Sequence, residues 1–164
     1  MALTKVIGSG LGAIPAISGA NLTGLTDGQM PAGSIIQVVE GRRTSQFSTT
    51  STSFTTTGLA VAITPTDNNN KILLNANFSF YHTNAFINAT ILRGSTNLET
   101  QSGQGLTQHH AAGNQGSTGA MHILDNPQTT SEITYTVFML VQSGTGYLNI
   151  NTSPAFLTAM EVVV

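Results

Sequence analysis

Four histidines are the residues of this sequence best suited to metal binding or acid–base chemistry: His82, His109, His110 and His122. His109 and His110 are adjacent, so on a strand their side chains would point to opposite faces of the sheet. Neither His82 nor His122 has a carboxylate at the spacing that metal ligands adopt. We therefore expect ordinary hydrogen-bonding histidines and no metal site. A metal held on an oligomer axis by one histidine per subunit is the alternative that the sequence leaves open.

Carboxylates and serines provide little for catalysis. The carboxylates are scattered along the chain, mostly at turns or strand ends, and no two of them suggest the acid–base pair of a glycoside hydrolase. They are Asp27, Glu40, Asp67, Glu99, Asp125, Glu132 and Glu161. No serine stands in the G-x-S-x-G motif of a nucleophile elbow. The sequence therefore predicts no catalytic residue, and we expect a protein that is not an enzyme.

A glycine-rich stretch near the start has the spacing of a dinucleotide-binding motif but not its context. Gly8, Gly10 and Ala13 match the fingerprint, which requires a strand before it, a helix after it and an acidic residue about 20 positions on. Pro15 interrupts that helix, and Asp27 comes too early. We expect no nucleotide and no other cofactor.

Composition excludes two classes of partner. Charged residues make up 7% of the chain, against about 25% in ordinary globular proteins. Five basic and seven acidic residues give a formal charge of -2, whereas nucleic-acid binding needs a basic surface to neutralise phosphates. No apolar run approaches the roughly 20 residues of a membrane-spanning helix. Polarity comes instead from Thr, Ser, Asn, Gln and Gly, and such a surface tolerates packing against copies of itself.

Two stretches set the expected fold. Residues 71–82 alternate apolar and polar side chains with a period of two, which predicts a strand with one buried face. Residues 132–143 repeat the pattern. The expected buried residues of the first stretch are Ile72, Leu74, Ala76, Phe78 and Phe80, and those of the second are Ile133, Tyr135, Val137, Met139 and Val141.

Shorter alternating stretches separated by turn residues occupy most of the remaining sequence after residue 34. Thr83 and Asn84 predict a tight hairpin turn after the first central strand, and residues 41–43 predict a turn after the stretch 34–40. No stretch has the period of a helix. Roughly eight or nine short strands of this kind predict an all-β fold, an antiparallel β-sandwich of jelly-roll type.

Residues 1–33 have a different character. They contain seven glycines, two prolines, no aromatic residue, and only Lys5 and Asp27 as charges. They also carry too many apolar residues for a free linker, which is normally polar: Leu3, Val6, Ile7, Leu11, Ile14, Ile17, Leu22 and Leu25. We call residues 1–33 the leader and expect an extended anchoring arm that becomes ordered on another surface, followed by a sandwich domain over 34–164. Because Val162, Val163 and Val164 would cover both faces of the last strand, we also expect a homo-oligomer.

Several segments resemble small virion structural proteins of tailed bacteriophages. They are the opening MALTKV, the segment IPAISGANLTGL, the stretch PAGSIIQVVE with the Thr-rich tract after it, and the closing FLTAMEVVV. The resemblance implies a homotrimeric β-sandwich knob on the virion surface, assembled in the host cytoplasm and docked through its N-terminal arm on the major capsid protein or on tail proteins. A capsid decoration (cement) protein or head fibre is favoured, and a short tail fibre is next, because the chain has no shaft, heptad or collagen-like repeat.

A second hypothesis places the function in the polar, Gly-rich stretch 102–118, predicted as a long loop. His109, His110, Asn114 and Gln115 would then contact a host receptor or a surface glycan. A third class, a depolymerase, would need two carboxylates within roughly 5 to 10 Å of each other.

Overall fold

The computed structural model describes residues 29–83, 86–99, 104–110, 113–150 and 153–164. These residues form eleven strands and no α-helix, which confirms the all-β prediction. The strands are β1 (Ile35–Arg43), β2 (Phe47–Thr49), β3 (Thr55–Ile63), β4 (Lys71–Thr83), β5 (Phe86–Arg93), β6 (Thr96–Asn97), β7 (Thr107–His110), β8 (Asn114–Asp125), β9 (Ile133–Val141), β10 (Gly146–Leu148) and β11 (Ala155–Val162). The eight apolar residues of the expected anchor lie outside the described residues. Within the described part, no helix is long and apolar enough to cross a membrane.

The strands form two antiparallel sheets. In the first sheet, β11 and β10 share one edge of β4, β1 pairs with β11, β2 pairs with β10, and β8 lies along the other edge of β4. In the second sheet the order is β3-β9-β5, and β6 and β7 share the outer edge of β5. Without the short strands β2, β6 and β10, the orders are β1-β11-β4-β8 and β3-β9-β5-β7. This is the strand order of an eight-stranded jelly roll, so the predicted sandwich and its topology are confirmed.

The two predicted central strands form the core. Ile72, Leu74, Ala76, Phe78 and Phe80 of β4 are all at most 3% exposed, and they face the buried side chains of β9 across the sandwich. In β9, Tyr135, Val137, Met139 and Val141 are fully buried. Burial of an apolar side chain contributes about 1.5 to 3 kcal/mol, so the alternation that identified these strands also marks the residues that stabilise the sandwich.

The predicted hairpin at Thr83 and Asn84 is wrong. β4 belongs to the first sheet and β5 to the second, so the chain crosses between sheets here instead of pairing with itself. Alternation shows which face of a strand is buried, but both arrangements bury one face of each strand. The pattern therefore could not distinguish a hairpin from a crossing.

The predicted loop 102–118 is also corrected. Thr107–His110 forms β7 on β5, and Asn114–Thr118 is the first part of β8, which pairs with β4 along its length. Most residues from Asn114 to Thr118 are exposed, so backbone hydrogen bonds alone hold this part of an edge strand. No hydrophobic alternation is needed there, and none appears in the sequence.

The predicted turn at residues 41–43 is likewise strand, because β1 continues to Arg43. Gly41 makes this possible: a Cβ built on it would lie 1.9 Å from the carbonyl oxygen of Ala60 in β3. β1 therefore passes directly against the backbone of β3, and this contact joins the edges of the two sheets.

We predict that Gly41→Ala lowers the free energy of unfolding by at least about 2 kcal/mol, because a backbone oxygen, unlike a flexible side chain, cannot move aside cheaply. Urea denaturation measures the change. Gly116→Ala is the matched control: its Cβ would lie 3.4 Å from the nearest atom, and we expect a change within about 0.5 kcal/mol. Equal stability of the two variants would contradict the close approach of β1 to β3.

Candidate functional site

The two ends of β4 mark two poles of the sandwich. Its 13 residues span about 40 Å at about 3.3 Å per residue. We call the end near Lys71 the leader pole, because the chain joins the sandwich there: Gly33 N donates to Val163 O at 2.8 Å, and Val163 N donates to Ser34 O at 3.0 Å. The opposite end, which contains His82, is the histidine pole. The candidate functional residues divide between these poles.

A histidine pair joins the two sheets at the histidine pole. His82 of β4 is fully buried, and its Nε2 lies 3.0 Å from Nδ1 of His109 in β7. One nitrogen must donate and the other must accept, so at least one of the two rings has to be neutral, and two charged rings would repel each other. Burial, and secondarily the charges of His109 and His110, lower the pKa of His82 below its ordinary value.

The predicted receptor-contact residues lie together at this pole, although not on a loop. His109 is turned toward His82 and is partly buried. His110 is exposed and stacks on Phe86, with ring centroids 3.6 Å apart. Asn114 and Gln115 are exposed on β8, opposite Thr83 and His82 of β4. A ligand can therefore reach His110, Asn114 and Gln115, whereas His109 contacts His82 of the other sheet.

One aromatic pair at this pole has no signal in the sequence. Tyr81 of β4 and Tyr147 of β10 are direct neighbours on the outer face of the first sheet, with ring centroids 5.8 Å apart. Their pairing depends on the register between β4 and β10, which are far apart in sequence, so no local signal could have shown it.

The leader pole contains a fully buried carboxylate. Oε1 of Glu161 accepts hydrogen bonds from the Thr66 backbone N–H at 2.7 Å, from the Thr66 hydroxyl at 2.7 Å and from Asn70 Nδ2 at 2.8 Å. With the Gln37 amide turned so that its nitrogen faces the carboxylate, that nitrogen donates to Oε2 at 3.3 Å. Several donors offset the cost of burying a charge, and together they tie the connection between β3 and β4 to β11. A local signal existed, since Glu161 follows Leu157 and Ala159 on the buried face.

A second carboxylate near this pole links the two sheets. Asp125 of β8 accepts hydrogen bonds from Arg93 Nη1 on both oxygens at 2.9 Å, and the Tyr135 hydroxyl donates to its Oδ2 at 2.7 Å. Arg93 and Tyr135 belong to β5 and β9 of the other sheet. Burial, and then the hydrogen bond to Asp125, raise the pKa of Tyr135 well above its ordinary value, so the hydroxyl stays protonated and continues to donate.

The histidine pair and the hydrogen bonds of Glu161 and Asp125 join strands of the sandwich to one another, and they do not suggest a reaction. The donors around Asp125 and Glu161 belong to neighbouring strands and connections, so both carboxylates are explained by packing. Among the described residues, no three or more His, Asp or Glu side chains are grouped so that they could hold a metal ion. The surfaces left for recognition are the exposed groups of the histidine pole and the outer face of the first sheet.

Comparison with known proteins adds little to this geometry. No protein-family model matches the chain, and no curated protein matches it. Among solved structures, the chain is similar to one in the structure of infectious bursal disease virus, Gx strain, with a TM-score of 0.35 and 15% sequence identity. The match covers 78% of this chain and 36% of the viral one, so this chain spans about a third of its length. A TM-score this low carries no weight for function.

The histidine pair predicts a pH dependence of stability. The pKa of His82 is lower in the folded state than the unfolded value of about 6.5, so the unfolded chain binds a proton first as the pH falls. The stability that depends on neutral His82 is therefore fully present above about pH 6.5, and it decreases as the pH falls from there toward the folded pKa. We expect the melting temperature to drop between pH 7 and pH 5, and to drop less in His82→Gln.

Circular dichroism melts at several pH values measure this dependence. His122→Gln is the control, because His122 is exposed on β8 and the variant should keep the wild-type slope. A wild-type melting temperature that does not fall with pH, or an unchanged slope in His82→Gln, would show that His82 does not control the effect.

Proposed function

We propose that this chain is a non-enzymatic structural protein of a tailed-bacteriophage virion, a trimeric surface knob attached through its leader. A capsid decoration (cement) protein or head fibre is the first form of the proposal, and a short tail fibre is the second. Its partners are its own copies and the major capsid protein or tail proteins, and it is carried on the virion surface after assembly in the host cytoplasm. The sequence resemblance described above motivates this choice.

The observation that carries the proposal is the point where the leader joins the body. From Gly33 onward the chain is hydrogen-bonded to the last strand, at one pole of a rigid sandwich. The chain therefore enters the sandwich at the leader pole, and the histidine pole lies about 40 Å away. A body of this kind can be held to a surface at one end while the other end faces outward.

Jelly rolls occur in viral capsid and lectin domains, but a fold does not fix a function, so the leader supplies the specific argument. It combines many apolar residues with two charges. Extended backbone can pair with the strand edges of a neighbouring protein, while Leu22 and Leu25 occupy apolar grooves. Three leaders on one trimer bind multivalently, so weak individual contacts add up to stable attachment.

We predict that a protein lacking residues 1–28 remains a folded, soluble oligomer but no longer incorporates into particles. Quantitative mass spectrometry of purified particles measures its copy number against the wild type. Leu22→Ser/Leu25→Ser in the full chain should reduce incorporation in the same direction, and Thr23→Ser/Thr26→Ser is the matched control that should not. Wild-type copy number for the truncated protein would refute the anchoring role.

A receptor-binding or carbohydrate-binding module is the second candidate. It is favoured by the exposed amides of Asn114 and Gln115, which lie at the same pole as the stacked His110 and Phe86 rings. Aromatic rings and hydrogen-bonding amides are both groups that suit a sugar, and a ligand would bind at the pole away from the leader.

This second function predicts that Asn114→Ala/Gln115→Ala lowers host-cell adsorption of particles or removes binding on a glycan array. Point substitutions are preferred to replacing residues 102–118, because that stretch contains β7 and part of β8. His122→Ala, farther along β8, is the control. Unchanged adsorption in the double variant, at wild-type incorporation, would refute the receptor function.

A further inference from the structure

The most exposed large apolar side chains of the described residues lie at one place. Ile35 is 50% exposed, Val38 59%, Leu124 51% and Val164 62%. Ile35 and Val38 belong to β1, Leu124 lies near the end of β8, and Val164 follows β11. All four are at the leader pole of the first sheet.

One apolar residue from each of β1, β11, β4 and β8 lies in a continuous row across the first sheet. Val38 of β1 is opposite Met160 of β11, Met160 is opposite Leu73 of β4, and Leu73 is opposite Leu124 of β8. We call these four residues the apolar row. Ile35 lies opposite Val162 in the next row toward the leader pole. An apolar surface that continues across four strands differs from the scattered apolar residues that any protein exposes.

The face around the apolar row has the size and composition of a protein interface. The four strands have between 8 and 13 residues. At about 3.3 Å per residue and about 4.8 Å between strands they give a face of about 650 Å², somewhat below the roughly 800 Å² per partner of a stable interface. Beyond the row, the face carries Phe156, Arg42, Tyr81 and Tyr147. Aromatic residues, Met and Arg are the types enriched in interfaces, and few charges interrupt them.

The charges on this face have both signs: Glu40 and Arg42 lie on β1, and Lys71 of β4 lies opposite Val162 in the next row. Glu40 and Arg42 are two residues apart on β1 and therefore point to the same side of the sheet. The Arg42 guanidinium lies 5.6 Å from the centre of the Phe156 ring, which directs it along the face. Two copies brought together here can pair Glu40 of one with Arg42 of the other, whereas a face with charges of one sign would repel its own copy.

The opposite side of the sandwich provides the contrast. On the outer face of the second sheet, Ala62 and Ala60 of β3 are opposite Thr134 and Thr136 of β9, and none of the strongly exposed large apolar side chains lies there. On β5, the outward side chains of Asn88 and Thr90 are buried, and the Thr90 hydroxyl donates to Asn97 at 2.6 Å. The outer face of the second sheet also carries Phe138 and Leu140 of β9, which are partly buried. It differs from the first sheet in that none of its described large apolar side chains is strongly exposed.

We propose that the outer face of the first sheet, centred on the apolar row, binds a second copy of this chain. The proposal rests on the homo-oligomer of the proposed function and names its contact surface. Where the rotation axis of the oligomer runs parallel to the strands, the rows of its copies meet beside that axis, and all the leaders leave from the same pole. The contact that joins the copies therefore also gathers the leaders that anchor them.

The test replaces single residues on each face and measures the oligomer by sedimentation velocity at micromolar concentration in physiological salt. Val38→Lys and Leu124→Lys each place a charge in the row and should raise the dissociation constant at least about tenfold, because an unpaired charge in an interface core opposes binding. Ala62→Lys and Thr134→Lys are the matched controls and should sediment like the wild type. Circular dichroism melts confirm that each variant is folded.

A wild-type oligomer that is unchanged by both row variants would overturn the proposal, and so would a monomeric wild-type protein. A charge exchange tests the pairing separately: Glu40→Arg and Arg42→Glu should each weaken association, and the double variant should restore it. A double variant weaker than either single one would overturn the pairing of Glu40 with Arg42.

Particle incorporation separates this proposal from the proposed function. An oligomer that depends on the apolar row but never enters particles would uphold the contact surface and refute the virion role. A Val38→Lys monomer that incorporates like the wild type would show that anchoring does not need this contact. Its shift in sedimentation would still uphold the apolar row as the contact surface between copies.

Discussion

Strand β4 imposes the constraint on which the other elements depend. Its inward face carries the largest continuous set of buried apolar side chains, and its backbone groups must be paired along both edges because an unpaired buried amide is costly. β8 pairs one edge along nearly the full length, while β11 and β10 divide the other. The second sheet covers the apolar face. A two-layer sandwich is the arrangement that satisfies both requirements at once.

Polar contacts at the two poles fix the position of one sheet relative to the other. An aliphatic core alone would fix that position less specifically. Asp125 joins β8 to Arg93 and Tyr135 of the second sheet, and His82 joins β4 to His109. Glu161 holds the connection that enters β4. The middle of the sandwich is apolar, so these contacts close its ends. This division leaves the outer faces and the exposed edge of the histidine pole for binding.

The sequence predicts this architecture where burial and periodicity coincide. The alternation of residues 71–82 and 132–143 identified the two central strands and their buried faces, since a one-sided burial pattern is encoded residue by residue. The first part of β8 could not be predicted, because the side chains of an exposed edge strand carry no such pattern. The crossing after Thr83 was missed for a related reason, as alternation does not record which sheet a strand joins.

The candidate sites divide in the same way. Exposure of His110, Asn114 and Gln115 followed from their polar surroundings, whereas the bond between His82 and His109 depends on contact between two sheets. The buried position of Glu161 could have been found from its phase in the last strand. The expected anchor residues, from Leu3 to Leu25, lie outside the described residues, and their role stays a prediction.

On the particle, the leader pole should face the virion and the histidine pole should face solvent, and this orientation can be measured. The chain has no cysteine, so single cysteines at exposed Ala32 and Gln115 report on the two poles through their maleimide labelling rates, compared between free protein and purified particles. We expect Ala32→Cys to become protected on the particle while Gln115→Cys labels as in the free protein. Protection of Gln115→Cys with free labelling of Ala32→Cys would contradict it.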